Sequence, residues 1–203
     1  MSVKASRPGE SKDLQGRREA VRARPRGGSP AASPEWRLHA RSAAETDRLG
    51  RVIGQAARGG EVLALFGDLG TGKTVLVRGL AAGLGAPPVA VASPTFVLIH
   101  EYRGRLPLAH ADLYRIEGPG ELTHLGLDEY LNGQTVLAIE WADKAGGDLA
   151  GDRLEVRLSH RSKTEREIAM IAKGERARGL LARVAKRWRA GRLPGGRKGA
   201  RAT

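Results

Sequence analysis

The chain has 203 residues, a mass of 21.7 kDa and a formal net charge of +13. A chain of this length suits one main domain, and the lack of cysteine excludes disulfides, thiolate metal sites and cysteine nucleophiles. No apolar run approaches the ~18 residues that a membrane span needs, and no apolar signal segment opens the chain, so we predict a cytoplasmic protein with no membrane partner.

The positive charge lies at the two ends of the chain. Residues 1–34 carry eight Lys and Arg against three acids, residues 174–203 carry ten against one, and residues 35–173 carry 17 against 18. Polar, charged segments without apolar periodicity are typical of disorder, so we predict disordered basic tails over 1–34 and 191–203. Folds that read nucleic acid usually carry the basic patch on the folded surface. Here any contact with RNA is expected to come from the tails.

Between the tails, the pattern predicts a domain over 35–175. A short strand near 36–39 precedes a helix over 42–58, and the Ser-x-x-Glu pair Ser42 and Glu45 forms a capping box at the start of that helix.

The following segments alternate between strand and helix. The apolar run 61–66 suits a strand buried on both faces of a sheet, and a helix follows over 73–84. Further strands are predicted at 96–102, 106–113, 135–140, 153–159 and 167–172, with one or two short helices at 121–131. The last two strands are predicted to form a hairpin. This alternation predicts an α/β domain with a mostly parallel central sheet and flanking helices.

A basic amphipathic helix is predicted over 176–190. Leu180, Leu181, Val184 and Trp188 fall on one face of this helix, and Arg and Lys occupy the other face. We expect the apolar face to pack on the domain; contact with a membrane surface or with RNA is the alternative.

The strongest local signal is the segment 67–74, Gly-Asp-Leu-Gly-Thr-Gly-Lys-Thr, which matches the phosphate-loop pattern G-x-x-x-x-G-K-[ST] at every fixed position. Its glycines allow backbone N–H groups to surround a phosphate chain, and the next helix directs its positive end at the anion. Lys73 can reach the β- and γ-phosphates, and the Thr74 hydroxyl can bind Mg²⁺. No Asn-Lys-x-Asp element of a GTPase follows, which favours ATP.

Phosphoryl transfer also needs a metal-binding carboxylate and a group that positions the attacking water. Glu140 ends the apolar run 136–139, where a metal carboxylate is expected, Asp112 ends another strand, and Thr95 is a candidate switch residue that senses the γ-phosphate. The structural alternatives are a surface acid, a turn cap and an ordinary strand residue. We interpret His110 as structural, because no second His or acid stands at metal-ligand spacing from it.

Five motifs, taken in order, resemble the TsaE family, the bacterial ATPases of tRNA threonylcarbamoyladenosine synthesis. They are the loop 67–74, Ser-Pro-Thr-Phe at 93–96, His-Ala-Asp-Leu-Tyr-Arg at 110–115, Leu-Gly-Leu-Asp-Glu-Tyr at 125–130 and Glu-Trp at 140–141. The resemblance covers about 36–175 and implies a phosphate-loop NTPase fold that hydrolyses ATP with Mg²⁺, weakly when alone. It also implies a TsaD–TsaB heterodimer as partner, which modifies the tRNA and is reset by ATP hydrolysis.

The resemblance also implies roles for single residues. Thr74 and Glu140 hold the metal, Asp112 is a catalytic acid that helps to place the water, Thr95 is the switch residue, and Lys73 holds phosphate. The residues implied to bind the nucleotide are Gly67, Asp68, Leu69, Gly70, Thr71, Gly72, Lys73, Thr74, Val75 and Trp141.

The chain departs from the usual family pattern at three positions. Thr71 stands in place of Ala, Ala111 in place of an aromatic residue, and Ala142 in place of Pro. None of these changes removes a candidate reactive group, so the predicted chemistry is unaffected.

Two other functions remain open at this level. A small-molecule kinase would use the same loop but needs a mobile, Arg-rich lid that excludes water, and the available arginines, Arg103, Arg105 and Arg115, fall in strand-like segments. An RNA-binding protein would work through the basic tails, with the nucleotide site as a regulatory element.

Overall fold

The structure, a computed structural model, describes residues 33–87, 98–116, 121, 125–146 and 149–191. All of these residues belong to one compact unit. The tails predicted over 1–34 and 191–203 lie outside the described residues except for 33–34 and 191, and Thr95 also lies outside them.

Seven strands and three α-helices make up most of the described part of the chain. In chain order they are β1 (Glu35–Ala40), α1 (Ala43–Ala56), β2 (Val62–Phe66), α2 (Lys73–Gly83), β3 (Ile99–Tyr102), β4 (Leu108–Asp112), β5 (Val136–Glu140), β6 (Arg153–His160), β7 (Arg166–Lys173) and α3 (Glu175–Ala190). Two 3₁₀ helices, Leu127–Tyr130 and Ala142–Ala145, flank β5. The first of them occupies part of 121–131, where short helices were predicted.

The strands form one sheet in the order β1-β7-β6-β2-β5-β4-β3. The four central strands, β6, β2, β5 and β4, run parallel, which confirms the predicted α/β fold. The edges are antiparallel, because β6 and β7 form the predicted hairpin, β1 pairs with β7, and β3 pairs with β4. The four parallel strands all terminate at the same side of the sheet, which we call the carboxyl-end edge. The end of β1 and the start of β7 also lie at this edge.

The apolar run of β2 is buried because both faces of the sheet are covered. Leu63 and Leu65 point into a core that they share with α1, α2 and α3. Val62 and Ala64 point to the opposite side, into a smaller core built mainly from β4, β5 and the 3₁₀ helix that follows β5. A strand with two buried faces has no polar alternation, which explains the continuous apolar pattern.

Helices α1 and α2 pack closely through glycines spaced four residues apart. Gly50 and Gly54 on α1 lie against the backbone of α2, and Gly79 and Gly83 on α2 lie against the backbone of α1. A Cβ atom at Gly79 would overlap the carbonyl oxygen of Asp47. Glycine lowers helix propensity, but at these positions it permits the close approach of the two helices.

We expect Gly79→Ala to destabilise the protein by about 1–3 kcal/mol or more, because the overlapping atom belongs to the α1 backbone and the two helices must separate. Chemical denaturation measures this loss. Gly179→Ala on α3 is the matched control, since its Cβ would meet only the flexible tip of Arg183 and alanine favours the helix. Equal stability of the two variants would contradict the close-packing interpretation.

The amphipathic helix predicted over 176–190 corresponds to α3. Its apolar side is buried in the core that it shares with α1 and α2. Arg183 on α3 donates to Glu61, just before β2, and to the carbonyl oxygen of Ala56 at the end of α1. The helix is therefore an integral part of the domain. None of the helices among the described residues has both the length and the hydrophobicity to cross a bilayer.

Candidate nucleotide-binding site

The predicted site residues meet at the edge where the parallel strands end. The loop 67–74 connects β2 to α2, Asp112 is the last residue of β4, and Glu140 is the last residue of β5. β5 pairs directly with β2, and Asp112 is in register with Glu140. Side chains from three distant segments of the chain are thus brought together by the order of the strands.

The backbone of the loop requires glycine. Gly67, Gly70 and Gly72 have φ values of 136°, 77° and 101°, which L-residues with a side chain rarely adopt. A Cβ at Gly67 would also overlap the carbonyl oxygen of Leu158 on the neighbouring strand β6. Gly72 precedes α2 and has no side chain to accept from the first helical N–H groups, so these donors face the loop.

Thr71 adds a contact that the sequence did not predict. Its side chain is fully buried, and its hydroxyl donates to the carbonyl oxygen of Asp68 at 2.8 Å. Thr71, one of the three residues that depart from the usual family pattern, therefore stabilises the loop by a hydrogen bond within it.

Lys73 lies at the centre of the site and is almost fully buried. Its ammonium donates to the carbonyl oxygens of Gly67 at 2.6 Å and Asp68 at 3.0 Å, and it lies 3.7 Å from the centre of the Trp141 ring. Burial lowers the pKa of Lys73, and nearby carboxylates, with Glu140 foremost, act in the opposite direction. The main-chain oxygens of the loop thus hold this ammonium group in place.

Glu140 joins the loop to the sheet. The Thr74 hydroxyl donates to its Oε2 at 3.0 Å, and Nε2 of His110 lies 2.8 Å from its Oε1. Both His110 and Glu140 are buried. A hydroxyl and a carboxylate in contact beside a phosphate loop are oxygen ligands of the kind that Mg²⁺ prefers. Glu140 is therefore not the surface acid of the structural alternative.

Asp112 lies at the end of a strand, as predicted, and its side chain also caps the following turn. Its carboxylate is buried, and Oδ1 accepts from the backbone N–H of Tyr114 at 2.9 Å. The turn-capping alternative is thus correct for one oxygen. The register with Glu140 also places Asp112 beside the site.

The backbone of Trp141 adopts a conformation that is uncommon for residues other than glycine. Its φ of 57° lies in the left-handed region, where non-glycine residues are uncommon. The indole covers the Lys73 ammonium and packs against Tyr114, with ring centres 5.1 Å apart. It forms a wall that partly shields Lys73 from solvent.

A cavity of about 240 Å³ lies between the loop, the start of α1 and the turn that connects β6 to β7. The lining residues include Ser42, Thr46, Gly72, Val75, Lys163 and Arg166. Val75, one of the implied nucleotide ligands, is thus placed beside this cavity.

Two contacts at the site were not predicted from the sequence. His110, interpreted there as structural, contacts Glu140 through a strand pairing that residue spacing does not reveal. Arg166 lies 95 residues from Thr71 in the sequence and donates to the carbonyl oxygens of Gly70 and Thr71. No local pattern signals either contact.

The kinase alternative gains no support from Arg105. Its guanidinium donates to the carbonyl oxygens of Gly54 and Ala57 at the end of α1. An arginine engaged in this way is part of the fold rather than of a closing lid.

A parallel-centred α/β sheet with a glycine loop between β2 and α2 defines a phosphate-loop protein. The model of the family described as threonylcarbamoyl adenosine biosynthesis protein TsaE matches residues 40–168, more than half of the chain. The chain therefore belongs to the TsaE family, which takes part in the biosynthesis of threonylcarbamoyladenosine in tRNA.

Relatives and a solved structure agree with this assignment. The chain is 44% identical to the TsaE protein of Bacillus subtilis over 133 residues, which are 65% of this chain and 82% of that protein. It is 37% identical to the TsaE protein of Treponema pallidum over 134 residues, 66% of this chain and 98% of that protein. The crystal structure of YdiB from Bacillus subtilis matches with a TM-score of 0.65 and 35% identity, covering 76% of this chain and 97% of that one.

Proposed function

We propose that this protein binds ATP with Mg²⁺ at the loop 67–74 and hydrolyses it, as an accessory subunit of threonylcarbamoyladenosine synthesis in tRNA. The observation that carries the proposal is the placement of Lys73 in the glycine loop with Thr74 and Glu140 in contact beside it. Binding, metal and water groups then stand within one site, as phosphoryl transfer requires.

The loop and Lys73 supply the binding. Backbone N–H groups at the start of α2 and the Lys73 ammonium surround the phosphates with positive charge in a setting of low dielectric. The contacts of Lys73 with Gly67 and Asp68 keep its rotamer in the loop before substrate arrives. Little reorganisation is then needed when charge develops on the phosphoryl group.

Thr74 and Glu140 are the residues that would hold the metal. A bound magnesium ion would neutralise charge on the phosphate oxygens. No three His, Asp or Glu side chains among the described residues converge as a metal cage, so the remaining oxygen ligands would come from phosphate and water, as is usual for this ion. His110 fixes the Oε1 side of Glu140 and leaves its Oε2 toward Thr74.

Asp112 is the group assigned to the attacking water. Tyr114 holds one of its oxygens, which orients the carboxylate at the end of β4. Thr95 remains the predicted switch residue for the γ-phosphate. No arginine of the described residues is assigned as an arginine finger, and a basic tail or a partner would supply one, so we expect slow turnover by the protein alone and faster turnover with a partner.

The partner that we propose is a TsaD–TsaB-type heterodimer. ATP hydrolysis by the full chain is measured with and without such a purified heterodimer, and tRNA modification is followed in parallel. We expect stimulation of hydrolysis and multiple rounds of modification that depend on ATP. Phosphorylation of a metabolite by ATP would instead establish the kinase, and lack of ATP binding by the folded chain would reject the nucleotide site.

A second contribution, contact with RNA, is favoured by one feature of α3. The apolar face of the helix is buried in the core, so insertion into a membrane surface would require the helix to leave the domain. The opposite face exposes Arg178, Lys186 and Arg189. An exposed cationic face suits a phosphate backbone, and it would extend the basic character predicted for the tails onto the folded surface.

We expect the triple variant Arg178→Gln, Lys186→Gln, Arg189→Gln to bind an unmodified tRNA transcript more weakly and with a shallower salt dependence, because each lost phosphate contact lowers the slope by about one. Fluorescence anisotropy over a salt series measures both. The control triple replaces Arg37, Arg51 and Arg78, which already pair with acids. An unchanged slope in the α3 variant would assign the RNA contact to the tails alone.

A further inference from the structure

Arg166, the first residue of β7, makes an unusual number of contacts through one guanidinium. Its Nε donates to the carbonyl oxygen of Thr71 at 3.0 Å, and Nη2 donates to that of Gly70 at 3.1 Å. Its Nη1 donates to the turn between β6 and β7, at the carbonyl oxygens of Ser162 (3.2 Å), Lys163 (3.4 Å) and Glu165 (2.9 Å). All three nitrogens of the guanidinium are thus engaged with main-chain oxygens, and the side chain is half-buried.

These contacts hold the segment 70–72, which contains two glycines and therefore has the greatest conformational freedom in the loop. Gly70 and Gly72 both have positive φ, and glycine backbone has many alternative conformations of similar energy. A peptide unit is planar and trans, so its carbonyl oxygen and the following N–H point in opposite directions. Holding the oxygen of Thr71 from outside the loop therefore fixes the direction of the Gly72 N–H at the start of α2.

We propose that Arg166 is a positioning residue for nucleotide binding, which holds the loop segment 70–72 in its phosphate-binding shape from the turn 161–165. This inference rests on the proposed function, because the loop must bind a nucleotide for its shape to matter. Arginine suits the role because its planar fork spans several acceptors, whereas the single ammonium of lysine cannot span the same set.

The same contacts join two walls of the cavity beside the loop. Lys163 and Thr164 of the turn line this cavity together with Gly70, Thr71 and Gly72. Because Arg166 binds the turn and the loop at once, its side chain restrains the distance between these walls. Loss of the guanidinium is therefore expected to disturb binding more than the chemical step.

The test compares three variants of the full chain, Arg166→Gln, Arg166→Lys and Arg161→Gln, by calorimetric titration with ADP and Mg²⁺ and by ATP turnover. Arg161 stands in the same turn with an exposed side chain, so its replacement removes the same charge without touching the loop. We expect about tenfold weaker ADP binding and a raised KM for Arg166→Gln, with kcat within about twofold. Arg161→Gln should bind ADP like the parent.

Arg166→Lys separates hydrogen bonding from charge. We expect it to stay close to Arg166→Gln in ADP affinity, since lysine keeps the charge but loses the fork. Full recovery of affinity by lysine, or parent-like binding by Arg166→Gln, would overturn the inference. If Arg166→Gln does not fold, Arg166→Lys carries the same expectation of weakened binding. A parent chain that binds no ADP or ATP would reject the proposed function itself, which is a different outcome.

Discussion

Replacing Lys73 with alanine is expected to reduce ATP hydrolysis by about 100-fold or more, the order of effect seen when one preorganised donor to developing charge is lost. The ammonium is buried, bonded to Gly67 and Asp68, and covered by Trp141, so alanine removes the positive charge from the centre of the loop. Binding of ATP should weaken as well, because the phosphates lose a charged partner. Turnover and calorimetric titration with ATP and Mg²⁺ measure the two losses separately.

The matched control for this variant is Lys173→Ala. Lys173 ends β7 in register with Arg153 at the start of β6, which places it at the opposite edge of the sheet from the loop. The variant removes the same charge from the chain while leaving the site intact, and we expect parent-like turnover. Hydrolysis that survives in Lys73→Ala at the level of this control would place the ATP site elsewhere.

The second large effect is expected for Glu140→Gln. The substitution keeps the shape of the side chain but removes the negative charge that faces the Thr74 hydroxyl and His110. Outer-shell partners of a metal ligand already affect affinity by about 10–100-fold, so loss of the ligand charge should reduce turnover by at least that amount. The structural alternative, an acid without a role, predicts normal activity.

Titration with ADP in the presence of Mg²⁺ or of a chelator gives a direct readout of this role. We expect Mg²⁺ to strengthen ADP binding by the parent chain and to have little effect on Glu140→Gln, with similar affinities in chelator. Glu61→Gln is the control, because Glu61 is as deeply buried but lies before β2 at the opposite edge, in contact with Arg183. A Glu140→Gln protein with the parent's Mg²⁺ dependence would contradict the assignment.

Several features of the fold were predictable because their causes are local. The apolar run of β2, the capping contact of Ser42 with the N–H of Glu45, and the hairpin of β6 and β7 all match the sequence patterns. In the capping box, however, the Glu45 carboxylate accepts from the N–H of Arg41, one residue before the cap. Helix caps depend on a few neighbouring residues, so pattern and structure differ there by only one position.

The close packing of α1 and α2 was not predicted. Glycines at 50, 54, 79 and 83 read in the sequence as weak positions in two helices. Their role in packing depends on which helix lies opposite them, and this is known only from the folded chain. The pairing of β1 with β7 was not predicted either, because the order of strands that are distant in the chain is not encoded in the periodicity of any single strand.

The phosphate loop could be predicted from local sequence alone, since eight consecutive residues contain the glycines, the lysine and the hydroxyl, and the flanking strand and helix are visible as local patterns. Which distant groups contact that loop depends on the folded sheet. Thr74 and Glu140 are 66 residues apart, and Arg166 is 95 residues from Thr71. Such contacts form because β5 and β6 both pair with β2, and strand neighbours are selected by the packing of the whole core rather than by the residues within each strand.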